Sequence, residues 1–324
     1  MTKISVVAGG AGFIAQSLID ELLLERRVVF VIDNLCRGKR SFLNRYRTDN
    51  RVKFYEGDLS SRKSCQTAFK TAKKFGNIDE IWHMAANSDI AAGVYDADID
   101  VRNTFLTTVE LLNSAKLFNV KRFYFASSSA VYGDHGGSKL SELTGPLAPI
   151  SNYGAMKLAS EALICVASQS DLSQACIYRF PNVVGLPATH GVIFDFINKL
   201  MADPKVLKVL GDGFQKKIYL HVTELVDAMM TVRKLLPDRS IEVINIGPND
   251  SGVSVKSIAD LVVRRLGVKA KIIYGTGSRG WLGDVPKFQY STKKMELLYG
   301  WKPKLRSRQA IELAVNEIAA AYGL

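Results

Sequence analysis

Tyr153 and Lys157 lie four residues apart in Ser151-Asn-Tyr-Gly-Ala-Met-Lys157. On a helix that spacing puts both side chains on one face. A free phenol titrates near pH ~10 and is a poor base at neutrality. An ammonium held beside it favours the phenolate, which can then take a proton from a sugar or alcohol hydroxyl. The same spacing also arises on solvated helices by chance, so its meaning depends on what lies upstream.

Upstream, Gly9-Gly-Ala-Gly-Phe-Ile-Ala15 follows a strand-like run and opens a helix-like one. Glycines at 9 and 12 permit a tight turn, and the backbone N–H groups leading into Phe13 and Ile14 can approach a pyrophosphate at the helix's positive end. Ala15 takes the place of a third small residue. Asp33 ends the next strand about twenty residues on, where a carboxylate takes the adenosine ribose hydroxyls and repels a 2′-phosphate. NAD is therefore expected in preference to NADP, although Arg37, Lys39 and Arg40 soften that choice. Two later strand ends suit the same ligand. In Gly57-Asp-Leu59, Asp58 could accept from an adenine amino group while Leu59 packs on the ring. In His83-Met-Ala-Ala86, the small Ala85 and Ala86 let the chain pass close to a cofactor. His83 itself reads as structural. Asn103 is placed to bond backbone and hold a neighbouring segment of the sheet.

Positioning such groups takes alternating strands and helices. Strands are expected at Ile4–Ala8, Val28–Ile32, Val52–Tyr55, Glu80–Met84, Arg122–Ser127 and Ala175–Arg179, with helices at Phe13–Glu25, Ser61–Lys74, Asp98–Phe118 and Asn152–Ser168. That alternation is the mark of an α/β fold with a doubly wound parallel sheet. Ligands gather at the carboxyl ends of its strands. The second half carries helical patterns at Gly191–Ala202, Thr223–Leu236, Val255–Leu266 and Arg308–Ala321, with isolated strands such as Val243–Ile246. The expected division is a Rossmann domain over 1–180, with segments returning from roughly 215–247. A smaller, mostly helical lobe takes up 181–324, interleaved with it.

The 324 residues carry 43 Lys and Arg against 31 Asp and Glu, a net charge of +12. The basic residues are dispersed among acids, so no nucleic-acid partner is expected; a basic surface equally suits a substrate with two phosphates. Cys36, Cys65, Cys165 and Cys176 are scattered without metal or redox spacing, which points to free thiols in a reducing, cytoplasmic setting and to no metal. The longest apolar runs are of strand length, so no membrane span is expected, and strand pattern begins at Lys3 without room for a signal peptide.

Phe125-Ala-Ser-Ser-Ser-Ala-Val-Tyr-Gly133 supplies a hydroxyl to complete a Ser–Tyr–Lys set. With Gly-x-x-Gly, Asp33-Asn34-Leu, Gly-Asp-Leu, His-x-Ala-Ala and Tyr-x-x-x-Lys in this order, the chain resembles the extended short-chain dehydrogenase/reductases. More narrowly it resembles the NAD-dependent epimerase/dehydratase family and its UDP-glucose 4-epimerase-like branch, from Lys3 to about Trp301. The resemblance implies Tyr153 as catalytic base, Lys157 lowering its pKa and holding the nicotinamide ribose, and Ser128 bonding the sugar oxygen. Ser127 and Ser129 are its neighbours, and Ser127 is counted with the cofactor contacts, as is Asn34. It implies NAD as a bound prosthetic group, a UDP-hexose epimerised through a transient keto sugar, and a homodimer packed through Thr104–Phe118 and Asn152–Ser168.

For the substrate the resemblance implies Asn182, in Arg179-Phe-Pro-Asn182, together with Lys217, Tyr219, Arg279 and Asp284. Lys217 stands where the family usually offers Arg, and lysine lacks the guanidinium's bidentate fork. Dehydratases of the family carry acidic groups just after the catalytic hydroxyl; here those places are Ser129 and Ala130, which favours epimerisation unless Asp89 or Glu142 supplies the acid. The rival readings are a dehydratase, a net sugar-nucleotide reductase and a non-catalytic NAD(P)-sensing protein.

Overall fold

A computed structural model describes residues 2–277, 285 and 288–324. They group into two compact units, Met1–Val131 with Ser151–Arg179 and Met229–Ile244, and Tyr132–Ile150 with Phe180–Ala228 and Asn245–Leu324.

The first unit is built on seven strands: β1 (Lys3–Ala8), β2 (Val28–Asp33), β3 (Val52–Glu56), β4 (Asn77–His83), β5 (Arg122–Ala126), β6 (Gln174–Arg179) and β7 (Ser240–Asn245). Their spatial order is β7-β6-β5-β4-β1-β2-β3, and β1 to β6 pair in parallel throughout. The chain moves outward from β1 to β3, then crosses back to place β4 on the other side of β1. That reversal opens a crevice at the carboxyl ends of β1 and β4. Runs such as Val28-Val-Phe-Val-Ile32 are buried on both faces, as a parallel sheet covered by helices demands. Ile4, Val6, Phe30, Ile32, Phe69, Ile81, Phe123, Phe125 and Ile177 belong to one continuous core.

The helices are α1 (Phe13–Leu24), α2 (Arg62–Ala72), α3 (Ile90–Tyr95), α4 (Ala97–Asp100), α5 (Thr107–Phe118) and α6 (Asn152–Ala167). The single helix expected over Asp98–Phe118 is interrupted. A π-helical turn, Val101–Leu106, joins α4 to α5, a feature with no signature in hydrophobic period. Ser151 caps α6 by accepting the Gly154 N–H at 3.1 Å, which fixes where the helix begins and therefore where Tyr153 stands.

Around helices Val192–Ala202, Val255–Leu266 and Ser307–Ala321, the second unit carries short ladders. Asn182–Val184 pairs with Tyr219–His221, Val206–Val209 with Lys271–Tyr274, Lys216–Lys217 with Val253–Ser254, and Lys139–Leu140 with Gln289–Tyr290. Its division from the first unit departs from the expected boundaries in two places. Residues 132–150 group with the second unit, because Lys139–Leu140 pairs there and the Tyr132 hydroxyl donates to Asn245 Oδ1 at 2.7 Å. The returning segment starts at Met229 rather than near 215, since Lys216–His221 is held in two of those ladders. The strand read as isolated at Val243–Ile246 is β7, at the edge of the main sheet beside β6.

Candidate active site

The glycine-rich turn between β1 and α1 is pressed against the chain leaving β4. Gly9 sits at φ +77, and a Cβ there would meet Ala85 N at 2.6 Å, so only glycine fits. Gly12 caps α1 without a side-chain acceptor. The helix's positive end, opened by Phe13 and Ile14, is thus left for an anion. Asp33 at the end of β2 is buried and accepts from Ala11 N at 2.9 Å and Leu35 N at 2.8 Å. Burial pushes its carboxyl above the usual range, while the Leu35 and Ala11 N–H groups pull it down. An uncapped helix start beside a fixed carboxylate suits the pyrophosphate and ribose of a dinucleotide. Of the nearby cations, Arg37 pairs with Asp89 at 3.3 Å and Arg40 with Glu56 at 3.1 Å.

The other expected dinucleotide contacts divide. Asp58 is exposed and folds its carboxylate onto the Ser60 N–H and hydroxyl. Asn34 turns its amide oxygen to Cys36 N at 3.1 Å. Leu59 is a core residue, 4% exposed. Ala86 follows the tight passage at Ala85 and is half-buried. Asn103 lies in the π-helical turn, and beside it Thr104 Oγ1 accepts the buried Asn87 N–H at 3.0 Å. His83 is structural as read, fully buried, with Nε2 2.8 Å from Thr108 Oγ1. Burial and the Lys157 charge hold it well below the usual imidazole range.

At the start of α6, Tyr153 has the Ser128 side chain close enough to pull its phenol down. Lys157 Nζ lies 5.7 Å from the Tyr153 ring centroid and 4.6 Å from that of Phe125, and donates to Ala126 O at 2.6 Å. Ser128, Tyr153 and Lys157 are therefore brought together at the carboxyl end of β5. Burial sets the protonation of both members of the pair. Burial pushes Tyr153 up to about 12, eased by Ser128 and reinforced by the negative charge of Asp100. Burial also drives Lys157 down to about 7, against the pull of Glu161 and Asp100. Desolvation outweighs pairing for both groups.

Ser127 is placed differently from its neighbour. Its hydroxyl is buried and donates to Glu161 Oε1 at 2.5 Å, so it serves the support of the site. Glu161 is held in turn by Arg179, Nη2 to Oε2 at 2.6 Å, both buried. This trio escaped the sequence reading, although Glu161 stands one turn beyond Lys157 and the i, i+4 rule could have found it. Asp100 and Thr104 escaped because the π turn changes which residues face inward.

In the second unit, Asn182 Nδ2 donates to Ile218 O at 3.4 Å. Lys217 Nζ donates to Val285 O. Tyr219 is 5% exposed and packs into that unit's core. Arg279 and Asp284 lie outside the described residues. Both alternative acids are engaged: Asp89 accepts Ala92 N at 3.1 Å as the cap of α3, and Glu142 accepts Asn245 N at 2.8 Å. Among the described residues no group of three metal-binding side chains exists.

A doubly wound sheet with a dinucleotide turn on β1 and a Ser–Tyr–Lys set beyond β5 defines a nucleotide-dependent α/β enzyme of short-chain dehydrogenase/reductase type. The chain belongs to the NAD dependent epimerase/dehydratase family, which it matches over residues 5–247. It is 27% identical to a UDP-glucuronate 4-epimerase of Thermodesulfobacterium geofontis, over 96% of this chain and 94% of that one. A solved UDP-galactose 4-epimerase superposes with TM-score 0.83 at 31% identity, covering 98% of this chain and 99% of that one. The UDP-glucose 4-epimerase of Thermus thermophilus, solved with NAD, gives TM-score 0.84 at 27% identity over 98% of this chain and 99% of that one.

Proposed function

We propose that this protein is an NAD-dependent nucleotide-sugar 4-epimerase, an isomerase whose substrate is a UDP-hexose. The observation that carries the reading is Tyr153 on one helical turn with Lys157, with the Ser128 side chain beside the phenol, in a fold whose β1–α1 turn suits a dinucleotide. The turn at Gly9–Gly12, Asp33 and Lys157 would hold the cofactor. Bound there, NAD would supply hydride-accepting and hydride-donating chemistry for the sugar carbon. Ser128 orients the sugar oxygen, and the Tyr153 phenolate takes its proton and later returns it. Lys157 balances the phenolate charge.

Epimerisation is favoured over dehydration because Ser129 and Ala130 offer no carboxylic acid, while Asp89 and Glu142 are committed to backbone N–H groups. NAD is favoured over NADP because Asp33 is fixed at the end of β2 and two nearby arginines are paired with acids. Asn182, Lys217, Tyr219, Arg279 and Asp284 are assigned to the nucleotide-sugar by resemblance alone. Free thiols at Cys36, Cys65, Cys165 and Cys176 support a cytoplasmic setting, and among the described residues no helix is long and apolar enough to cross a membrane. Incubation with UDP-sugars tests the activity. Unchanged product mass with an inverted ring-proton coupling by NMR is the expected result, whereas loss of one water would mean elimination. NAD absorbance retained through purification is expected, and a need for added NADPH would favour a reductase.

A further inference from the structure

Behind the Tyr153–Lys157 pair lies a carboxylate that the mechanism above does not use. Asp100 ends α4 with no exposed surface. Its Oδ1 accepts the Asn87 side-chain N–H at 3.0 Å. Its Oδ2 is buried and, among the described residues, has no hydrogen-bond donor. The space for that oxygen exists only because residue 93 is glycine: a Cβ there would lie 1.9 Å from Oδ2. Gly93 in turn accepts the Asn152 side-chain N–H at its carbonyl, at 2.8 Å, and Asn152 is the residue before Tyr153. Asn87, Asp100, Gly93 and Asn152 thus tie the chain leaving β4 to the first turn of α6.

A buried carboxylate with one oxygen unanswered is costly, because nothing offsets that atom's lost hydration. We propose that Asp100 is the charge-setting residue of the active site, strengthening Tyr153 as a base and keeping Lys157 protonated. The proposal rests on the catalytic reading of that pair. The groups facing Asp100 are Asn87 and Asp89 from the β4 side and Tyr153 and Lys157 on α6; those facing Lys157 are Glu161, Asp100, the Tyr153 ring and the buried His83 of β4, whose imidazole is held well below its usual range by burial and the Lys157 charge. The Asp100 charge raises both Tyr153 and Lys157, whereas Glu161 acts on Lys157. A higher phenol pKa makes a stronger base toward a sugar hydroxyl, and the cation next to it must persist at the same pH.

The test compares wild type, Asp100→Asn, Asn87→Ala and Glu161→Gln as NAD-loaded proteins. Tyrosinate ultraviolet absorbance, with Tyr153→Phe subtracted, isolates the Tyr153 step without needing turnover. Asp100→Asn should move that step about one pH unit lower. Asn87→Ala, which strips the carboxylate of its one donor and so favours its neutral form, should move it in the same direction by less. Glu161→Gln should leave it in place. In kcat/KM against pH, both limbs should shift to lower pH in Asp100→Asn, whichever group each limb reports, and one limb only in Glu161→Gln. An unmoved tyrosinate step in both Asp100→Asn and Asn87→Ala overturns the proposal. A wild type without epimerase activity would overturn the functional reading instead, and the absorbance titration would still decide the role of Asp100.

Discussion

Tyr153 as folded is a phenol, and a firmly protonated one. Burial and the Asp100 charge push it up to about 12, and a phenol of raised pKa is the stronger base once its proton is lost. Tyr153→Phe should retain NAD and lose turnover by roughly 10²–10⁴-fold; steady-state kinetics with near-wild-type rates would remove it from the base role. Lys157 carries a cost of its own. Unfolded, a lysine binds its proton up to about 10.5; folded, this one gives it up at about 7. Between those values the unfolded chain holds the extra proton, so this group's contribution to stability grows more favourable as pH rises. Below about 7 the burial penalty is complete. Lys157→Met should therefore be inactive yet melt higher than wild type near neutrality, with the difference shrinking as pH climbs toward 10.5. A melting-temperature gap constant across that window would contradict the assignment.

Among the elements, the π turn Val101–Leu106 matters most to the site. It packs against α6, and it brings Thr104 under the buried Asn87 N–H and places Thr108 between His83 and the Ser160 hydroxyl, 2.9 Å away. The turn therefore locks the chain leaving β4 to the helix carrying the catalytic pair. Thr104→Val keeps the volume and removes the acceptor, leaving a buried N–H unanswered. Urea unfolding should register a loss of about 1–3 kcal/mol, largely restored in Thr104→Ser. Equal stability of Thr104→Val and wild type would show that the bond contributes nothing.

For the molecule as a whole, the faces of α5 and α6 bear exposed apolar residues, Leu117 at 58% and Val166 at 67%. Ala162 and Cys165 are exposed beside Val166. These helices are the ones through which a homodimer is proposed, and burying them against a second copy would remove apolar surface from water. Leu117→Asp with Val166→Asp should convert a dimer to a monomer in light scattering while the fold persists. A monomeric wild type would dismiss the interface. The net charge of +12 is carried by dispersed residues and suits attraction of a doubly phosphorylated substrate, falling with salt.

The sequence by itself determined what depends on local spacing. Period and turn chemistry placed β1 to β6 and α1, α2 and α6 within a few residues, and the i, i+4 rule paired Tyr153 with Lys157. The glycine turn and Asp33 were legible because a tight turn and a strand-end carboxylate each demand particular residue types. Tertiary structure alone decided what depends on packing. One long helix became three pieces, because a π turn rotates the inward face without changing the apolar pattern. Ser127 and Ser128 are adjacent and chemically alike, yet Glu161, itself held by Arg179, claims the first, while the second acts on Tyr153. That burial and the Asp100 charge raise the phenol's proton affinity is a property of the assembled core that no spacing of residues records.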